Sequence, residues 1–348
     1  MTVTDIGVIA HTREPNPEPI RDALQELPGS GSVRVIARTD DGIEGSGDVY
    51  FGRTAGGPEA LKGLVEHVLK PIAVGTSLDA IRATHQAMLA ETEYHGSFGL
   101  AMFGIAAIDT ALWDCLGNTL GAPCWQLWGG MNKTIPAYAM VGWLNYDDEQ
   151  ISRICAQAAD QGFGAVKIKV GYPTMAEDLR RVQVVRQAVG DAVEIMVDAN
   201  QSLTTKEAIR RGHAFADLGC FWWEEPLPAD DVDGYAALCD ACAIPIGTGE
   251  NLYTPADFAR FLKRDAVDIV QPDLRRAGGP SAMLAIGQMA AAFRRPYASH
   301  GGDPVQMNVM ACLPNAMYLE TGLIGPDSPV KLVDGRVSVP TGPGFGWE

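Results

Sequence analysis

Six short apolar runs in the second half of the chain each lead to a residue that can carry charge or exchange a proton. Ile195-Met-Val197 ends in Asp198, Cys220–Trp223 in Glu224, and Ile244-Pro-Ile246 runs on to Glu250. Val267–Val270 runs on to Asp273, Pro296–Ser299 ends in His300, and Met317-Tyr-Leu319 in Glu320. The intervals are 26, 26, 23, 27 and 20 residues, each suited to a strand, a loop and a returning helix. Upstream, Ala165–Val170 carries Lys167 and Lys169, the latter 29 residues before Asp198, and Ile135–Val141 is apolar and rich in small residues. Helical patterns such as Ala176–Ala188, Thr205–Asp217 and Ser281–Phe293 separate the runs. Eight apolar runs alternating with helices predict an α/β fold, a (β/α)8 TIM-type barrel over residues 126–325, with its active face at the strand C-termini. A single Asp after a strand is usually a turn or cap residue; the recurrence is what carries the reading. Thr204 is expected to cap the helix after Asp198, with Glu207 completing a capping box.

Residues 1–125 do not follow this period. Val33–Arg38 and Gly45–Phe51 flank Asp40-Asp-Gly42, a hairpin signal. Helical patterns follow at Pro58–Leu69, Leu78–Leu89 and Leu100–Leu120. These features predict a small α+β domain that caps the barrel, and the Gly- and Pro-rich tail 326–348 is expected to pack back on it. The loops Thr12–Ser32 and Gly52–Gly57 are candidate lids over the barrel mouth.

The chain has 348 residues, 47% hydrophobic, with a formal net charge of −16, enough for a large core and two domains. So acidic a surface argues against nucleic acid and anionic membrane as partners, and an anionic substrate must be attracted by local positive charge. No run of 18 uncharged apolar residues occurs, so no transmembrane helix is expected. The N-terminal MTVTDIGVIAHTREP has neither a basic segment nor an apolar one, and a cytoplasmic location is the default expectation. Assembly with identical chains is also expected. The seven cysteines are scattered, and Cys239-Asp-Ala-Cys242 lies at the end of a helical stretch with no second pair; two buried thiols are the plain reading.

Asp198, Glu224 and Glu250 end three consecutive strands, and three converging carboxylates repel unless a cation lies among them. All-oxygen ligation suits Mg²⁺, with Mn²⁺ as a substitute. Glu225 should point away, into a structural ion pair. Lys167 and Lys169, two apart on one strand, should both face the barrel interior. Neighbouring cations near a metal depress each other's pKa, so one lysine can act as a base while the other holds a substrate carboxylate. A lysine pair neutralised by neighbouring carboxylates is the structural alternative. Asp273 can orient His300 and raise its basicity. Glu320 can be protonated and donate to a developing oxyanion. Removal of the α-proton of a carboxylate substrate, giving an enediolate, fits such a set.

The segments AVKIKVGYP, IMVDANQSL, WWEEPL, GTGEN, QPDLRRAGG, ASH and YLE, with AAIDTALWDCLG ahead of the barrel, resemble the enolase superfamily and, within it, the mandelate racemase subgroup. The resemblance implies that Asp198, Glu224 and Glu250 bind Mg²⁺, that Lys169 is one acid/base, and that Lys167 lies on the carboxylate side. It implies Asp273–His300 as the opposing dyad and Glu320 as the oxyanion donor. Glu at 250, with a His–Asp pair, differs from the muconate lactonizing branch. Three activities are then expected in order: dehydration of a sugar-derived acid to a 2-keto-3-deoxy acid, racemisation or epimerisation of a 2-hydroxy acid, and cycloisomerisation of a sugar lactone. A metal-binding barrel without catalysis is disfavoured because both acid/base candidates are present. Polar lid residues, Arg13, Glu14, Tyr50 and Arg53, point to a hydrophilic substrate.

Overall fold

The computed structural model describes residues 1–346; Trp347 and Glu348, the end of the expected tail, lie outside the described residues. The chain opens with an antiparallel sheet of β1 (Val3–Thr12), β4 (Gly31–Thr39) and β5 (Glu44–Phe51), with the hairpin turn where Asp40-Asp-Gly42 places it. Strand β1, unmarked by any turn signal, was not apparent in the sequence. The loop between β1 and β4 contains a two-stranded ribbon, β2 (Ile20–Arg21) and β3 (Glu26–Leu27). Helices α1 (Gly57–Leu64), α2 (Lys70–Ala73), α3 (Ile81–Thr92) and α4 (Leu100–Leu120) follow, α1 and α2 being joined by a π-helical turn at Val65–Leu69.

Helix α4 is the spine of this unit. It has 21 residues and mean hydropathy 1.4, long and apolar enough to cross a membrane, yet 78% of it is buried inside the protein. Its apolar surface is nearly continuous because it has neighbours all round: β4 and β5 on one side and the barrel helices on the other.

After α5 (Cys124–Leu127) the β/α period begins. The parallel strands are β6 (Thr134–Gly142), β7 (Ala165–Lys169), β8 (Glu194–Asp198), β9 (Trp223–Glu224), β10 (Ile246–Thr248), β11 (Ile269–Val270), β12 (Tyr297–Ala298) and β13 (Ala316–Thr321). They pair in chain order, and β13 closes on β6. Between them run α6 (Asp148–Asp160), α7 (Met175–Val189), α8 (Thr205–Asp217), α9 (Val232–Ala241), α10 (Pro255–Lys263), α11 (Leu274–Ala277), α12 (Pro280–Ala292) and α13 (Pro304–Ala311). This is the expected (β/α)8 barrel.

Alternation along the strands sorts the side chains. On β8, Ile195 and Val197 join the core under the helices, while Met196 packs inside the barrel with Tyr138, Ala165, Trp222, Ile269 and Ala298. Asp198 follows on the same inner side, so the apolar plug forms the floor of the polar mouth. Capping boxes start α6 (Asp147 with Gln150), α7 (Thr174 with Glu177) and α10 (Thr254 with Asp257). The expected box at Thr204 is absent: its hydroxyl makes no cap bond, and Glu207 is engaged by Arg210 and Arg211. Guanidinium partners have outcompeted a backbone N–H for that carboxylate.

The tail pairs first with the barrel, β14 (Leu332–Val333) with β15 (Arg336–Ser338), and β15 antiparallel to β6. It then reaches α4, where the N–H of Phe345 donates to Asp114 at 2.9 Å. Asp114 also accepts from the N–H of Ser46 at 2.8 Å, so one buried carboxylate ties sheet, spine and tail. Asp114→Ala would leave both donors without an acceptor. At about 1–3 kcal/mol each, a stability loss of roughly 2–5 kcal/mol is expected in urea unfolding; an unchanged midpoint would show that water replaces the carboxylate.

Candidate active site

The sheet register itself assembles the carboxylates. Lys169 lies opposite Asp198, and Asp198 opposite Glu224; adjacent parallel strands are about 4.8 Å apart. Gly247 pairs with Glu224, and Glu250 follows just beyond the end of β10. One oxygen from each of Asp198, Glu224 and Glu250 lies within 4.8 Å of the others, and all three residues are buried. The oxygen-only donor set fits a hard divalent cation. Oε2 of Glu250 is buried and accepts no hydrogen bond from the described residues, a free acceptor that a cation would satisfy.

Two lysines occupy the gaps. Lys167 Nζ lies 2.6 Å from Glu224 and 2.5 Å from Glu320; Lys169 Nζ lies 2.5 Å from Asp198. The neighbouring carboxylates set the proton affinity of both lysines here. Burial acts to lower both, but the charges of Glu224 and Glu320 hold Lys167 well above its ordinary value, and Asp198 raises Lys169. This is the structural alternative, a lysine pair neutralised by neighbouring strands. The carboxylates respond unequally. Burial raises Glu224, Lys167 opposes this, and the charges of Asp198, Glu320 and Glu250 help carry it up to about 7. Asp198, though buried, is kept below the usual range by Lys169 and Lys167.

Glu320 lies under the same charges. Burial would raise it, but Lys167 and His300 hold it well below the carboxylate range. It accepts hydrogen bonds from Tyr138 Oη at 2.7 Å and the N–H of Gly301 at 3.0 Å. Glu225 departs from the expected ion pair. It is fully buried with φ +38° and has no ion-pair partner among the described residues; its Oε2 accepts a hydrogen bond from Asn251 Nδ2 at 2.6 Å. Burial, with Glu250 and Asp198 nearby, pushes its pKa well up.

Opposite Lys169, Asp273 and His300 form an isolated parallel bridge just past β11 and β12. His300 Nδ1 lies 2.8 Å from Asp273 Oδ2. Burial acts to raise Asp273, but Arg275 and His300 keep it well below the usual range. An ionised carboxylate only accepts, so Nδ1 carries the proton. Burial opposes charge on His300, but Glu250 and Asp273 raise its pKa, which leaves it basic as expected. Nε2 faces the carboxylate cluster, 3.1 Å from Glu250 Oε2.

Above the cluster lies a cavity of about 500 Å³, reached by Lys169, Glu250 and His300. The two candidate lids contribute Asp22, Leu24, Gln25 and Leu27 from one and Gly52, Arg53 and Thr54 from the other. Tyr50 and Arg53 line it as expected; Arg13 and Glu14 do not. The lid is less polar than its sequence suggested, because Leu24, Leu27, Leu100 and Phe103 line it as well. Trp143, whose ring lies 5.4 Å from Lys169 Nζ, Asn200, Asn251 and Arg276 were not singled out in the sequence. Their signals lie inside the motif segments DAN, GEN and LRRAGG; for Trp143, directly after β6, there was none. Cys239 and Cys242 are free thiols on and just after α9.

Comparison with known proteins agrees with this geometry. Residues 5–129 match the mandelate racemase / muconate lactonizing enzyme N-terminal domain, and residues 150–348 the family described as enolase C-terminal domain-like. L-talarate/galactarate dehydratase of Salmonella typhimurium is 34% identical over 317 residues, 89% of this chain and 78% of that protein. Arabinonate dehydratase of Saccharolobus solfataricus is 32% identical over 329 residues, 90% of this chain and 87% of that protein. The crystal structure of a racemase from Streptomyces coelicolor with bound magnesium superposes with a TM-score of 0.92 at 30% identity, covering 99% of this chain and 96% of its own. The chain belongs to the enolase superfamily, in its mandelate racemase/muconate lactonizing enzyme family.

Proposed function

We propose that this enzyme removes the α-proton of a sugar-derived acid with Mg²⁺ at the barrel mouth, and dehydrates it to a 2-keto-3-deoxy acid. One observation carries the reading: a carboxylate cluster is bracketed by two basic groups, Lys169 against Asp198 on one side and His300 against Glu250 on the other. Asp198, Glu224 and Glu250 hold the cation, which when bound supplies positive charge to a substrate carboxylate and to the enediolate. Lys167 neutralises the carboxylate side of the site. Lys169 and His300 address opposite faces of the α-carbon; one takes the proton and His300 gives one to the departing β-hydroxyl. Asp273 holds the imidazole in its productive tautomer. Glu320 steadies Lys167 and, if it gains a proton when substrate binds, donates to the oxyanion. The cap of residues 1–125 closes the site and carries the specificity.

Arg53 and Arg276 line the cavity and have no carboxylate partner among the described residues. In a chain of net charge −16, they supply the local attraction that an anionic substrate needs. Asn200, Gln201 and Asn251 provide partners for hydroxyl groups. The two-sided placement of Lys169 and His300 also favours a second reading, epimerisation at the same carbon. A sugar-lactone cycloisomerase would use the same proton abstraction. An activity screen over acid sugars with Mg²⁺, scoring keto acid and optical rotation, separates these outcomes.

Chelation by EDTA should abolish turnover, and Mg²⁺ or Mn²⁺ should restore it; full activity after stripping would remove the metal from the reading. Glu224→Gln should lose turnover and weaken Mg²⁺ binding while the barrel still folds. The raised pKa of Glu224, about 7, sets a pH dependence. Its proton must leave before it can bind a cation. Mg²⁺ affinity should therefore rise with pH up to about 7, by at most about tenfold per unit for one proton, and flatten above. Calorimetry at several pH values measures this, and an affinity constant from pH 5.5 to 8 would contradict it.

His300→Asn and Lys169→Ala should each abolish dehydration. Proton NMR in D₂O should show α-hydrogen exchange surviving in at most one of them. A racemase would instead show exchange confined to one epimer in each variant, with no keto acid. Dehydration at the wild-type rate in both variants would show that neither group has its assigned role.

A further inference from the structure

The segment that carries Asp273 is held by the capping residues at three points, and one of them is a buried carboxylate that the chemistry above leaves unused. Asp109 on α4 is fully buried. Its Oδ2 accepts from the N–H of Ser281 at 2.8 Å and its Oδ1 from Ser281 Oγ at 2.7 Å. Ser281 Oγ in turn accepts from Trp113 Nε1 at 2.9 Å. Ser281 lies in the first turn of α12, whose own N-cap residue is Gly279 with no side chain to offer. A free N–H of that turn is thus satisfied by a carboxylate from another element, placed at the positive end of the helix dipole. Gly279 has φ +102°, and a Cβ there would lie 2.6 Å from Asp109 Oδ2, so glycine is what lets the turn come so close.

The other two points lie further back along the segment. His85 on α3 places Nε2 2.9 Å from the carbonyl of Gly278. The carbonyl of Tyr50 on β5 accepts from Arg275 Nη1 at 3.3 Å. Between these anchors and the site stands one turn of helix, α11, capped by Asp273 itself through the N–H groups of Arg275 and Arg276, both at 2.9 Å. The same Asp273 carboxylate faces His300 at 2.8 Å.

We propose that Asp109 is a positioning residue for the Asp273–His300 dyad. By capping α12 from α4 it fixes the Gly278-Gly279 turn and, through α11, the aim of the Asp273 carboxylate at the imidazole. The inference rests on the reading of His300 as an acid/base group.

The test uses the full-length Mg²⁺-loaded enzyme and the variants Asp109→Asn and Ser281→Ala. The first readout is the low-field Nδ1–H proton resonance of His300, identified by its loss in His300→Asn. It should move upfield or broaden in Asp109→Asn. The second is α-hydrogen exchange in D₂O with two acids epimeric at C2. Exchange on the His300 side should fall at least tenfold, while exchange on the Lys169 side stays within twofold. A carboxylate that merely supports the fold would lower both sides equally, and that result, or an unchanged resonance, overturns the proposal. Should Asp109→Asn not fold, Ser281→Ala keeps the carboxylate and removes one of its donors. It should shift the resonance in the same direction by less, and no shift overturns the proposal. If the wild type exchanges no α-proton with any acid, the reading of His300 as a base fails, while the resonance still decides whether Asp109 aims the dyad.

Discussion

The mutual repulsion of Asp198, Glu224 and Glu250 organises the mouth of this barrel. Their oxygens come within 4.8 Å of one another; at an effective dielectric near 20, each ionised pair costs about 3–4 kcal/mol. The closed sheet leaves no freedom to relax this, because Lys169, Asp198 and Glu224 sit side by side in register. Positive charge must therefore be supplied, and the barrel supplies part of it by placing Lys167 and Lys169 on the neighbouring strand. Glu224 is still raised to about 7, by burial first and then by the charges of Asp198, Glu320 and Glu250, against Lys167. A divalent cation completes it.

The barrel and the eight groups at its mouth were legible because both arise from local rules. A strand of period two followed by a helix of period 3.6 recurs at a fixed interval, and whatever ends each strand must face the same opening. Protonation states were not legible. They follow from which lysine meets which oxygen: Lys169 lies 2.5 Å from Asp198, Lys167 2.5 Å from Glu320 and 3.9 Å from Asp198. Glu225 was misread for a related reason: its carboxylate meets the amide of Asn251 and not a cation. The cavity wall was read only in part, since Leu100 and Phe103 on α4 and Trp143 after β6 reach it from elements whose relative placement no local pattern encodes.

The join between α4 and the barrel has the same long-range character. Asp109 and Ser281 are 172 positions apart, and neither is unusual in its own sequence context. The capping is visible only once the backbone of α12 is seen to begin with a glycine and a proline. Such a join makes the cap more than a cover. Movement of α4 is transmitted to the turn before α12, and so to the loop that carries half of the dyad, whereas Lys169 is held from within the barrel by Arg181, which donates to its carbonyl at 3.0 Å.

The two basic groups thus take their proton affinity from different sources. Lys169 is raised above its ordinary value chiefly by Asp198, against burial that acts to lower it. On the proposed reading, a cation held by Asp198 would take up that attraction and add repulsion in the direction burial already acts, so that Lys169 would become easier to deprotonate, as a base requires. His300 is raised by Glu250 and Asp273 together, and only Glu250 belongs to the carboxylate cluster. Asp273, anchored by Arg275 and by the backbone of α11, keeps its charge whatever the cluster binds. Cation binding therefore shifts Lys169 more than His300 and brings their proton affinities closer, the condition for one group to take a proton while the other gives one at the same pH.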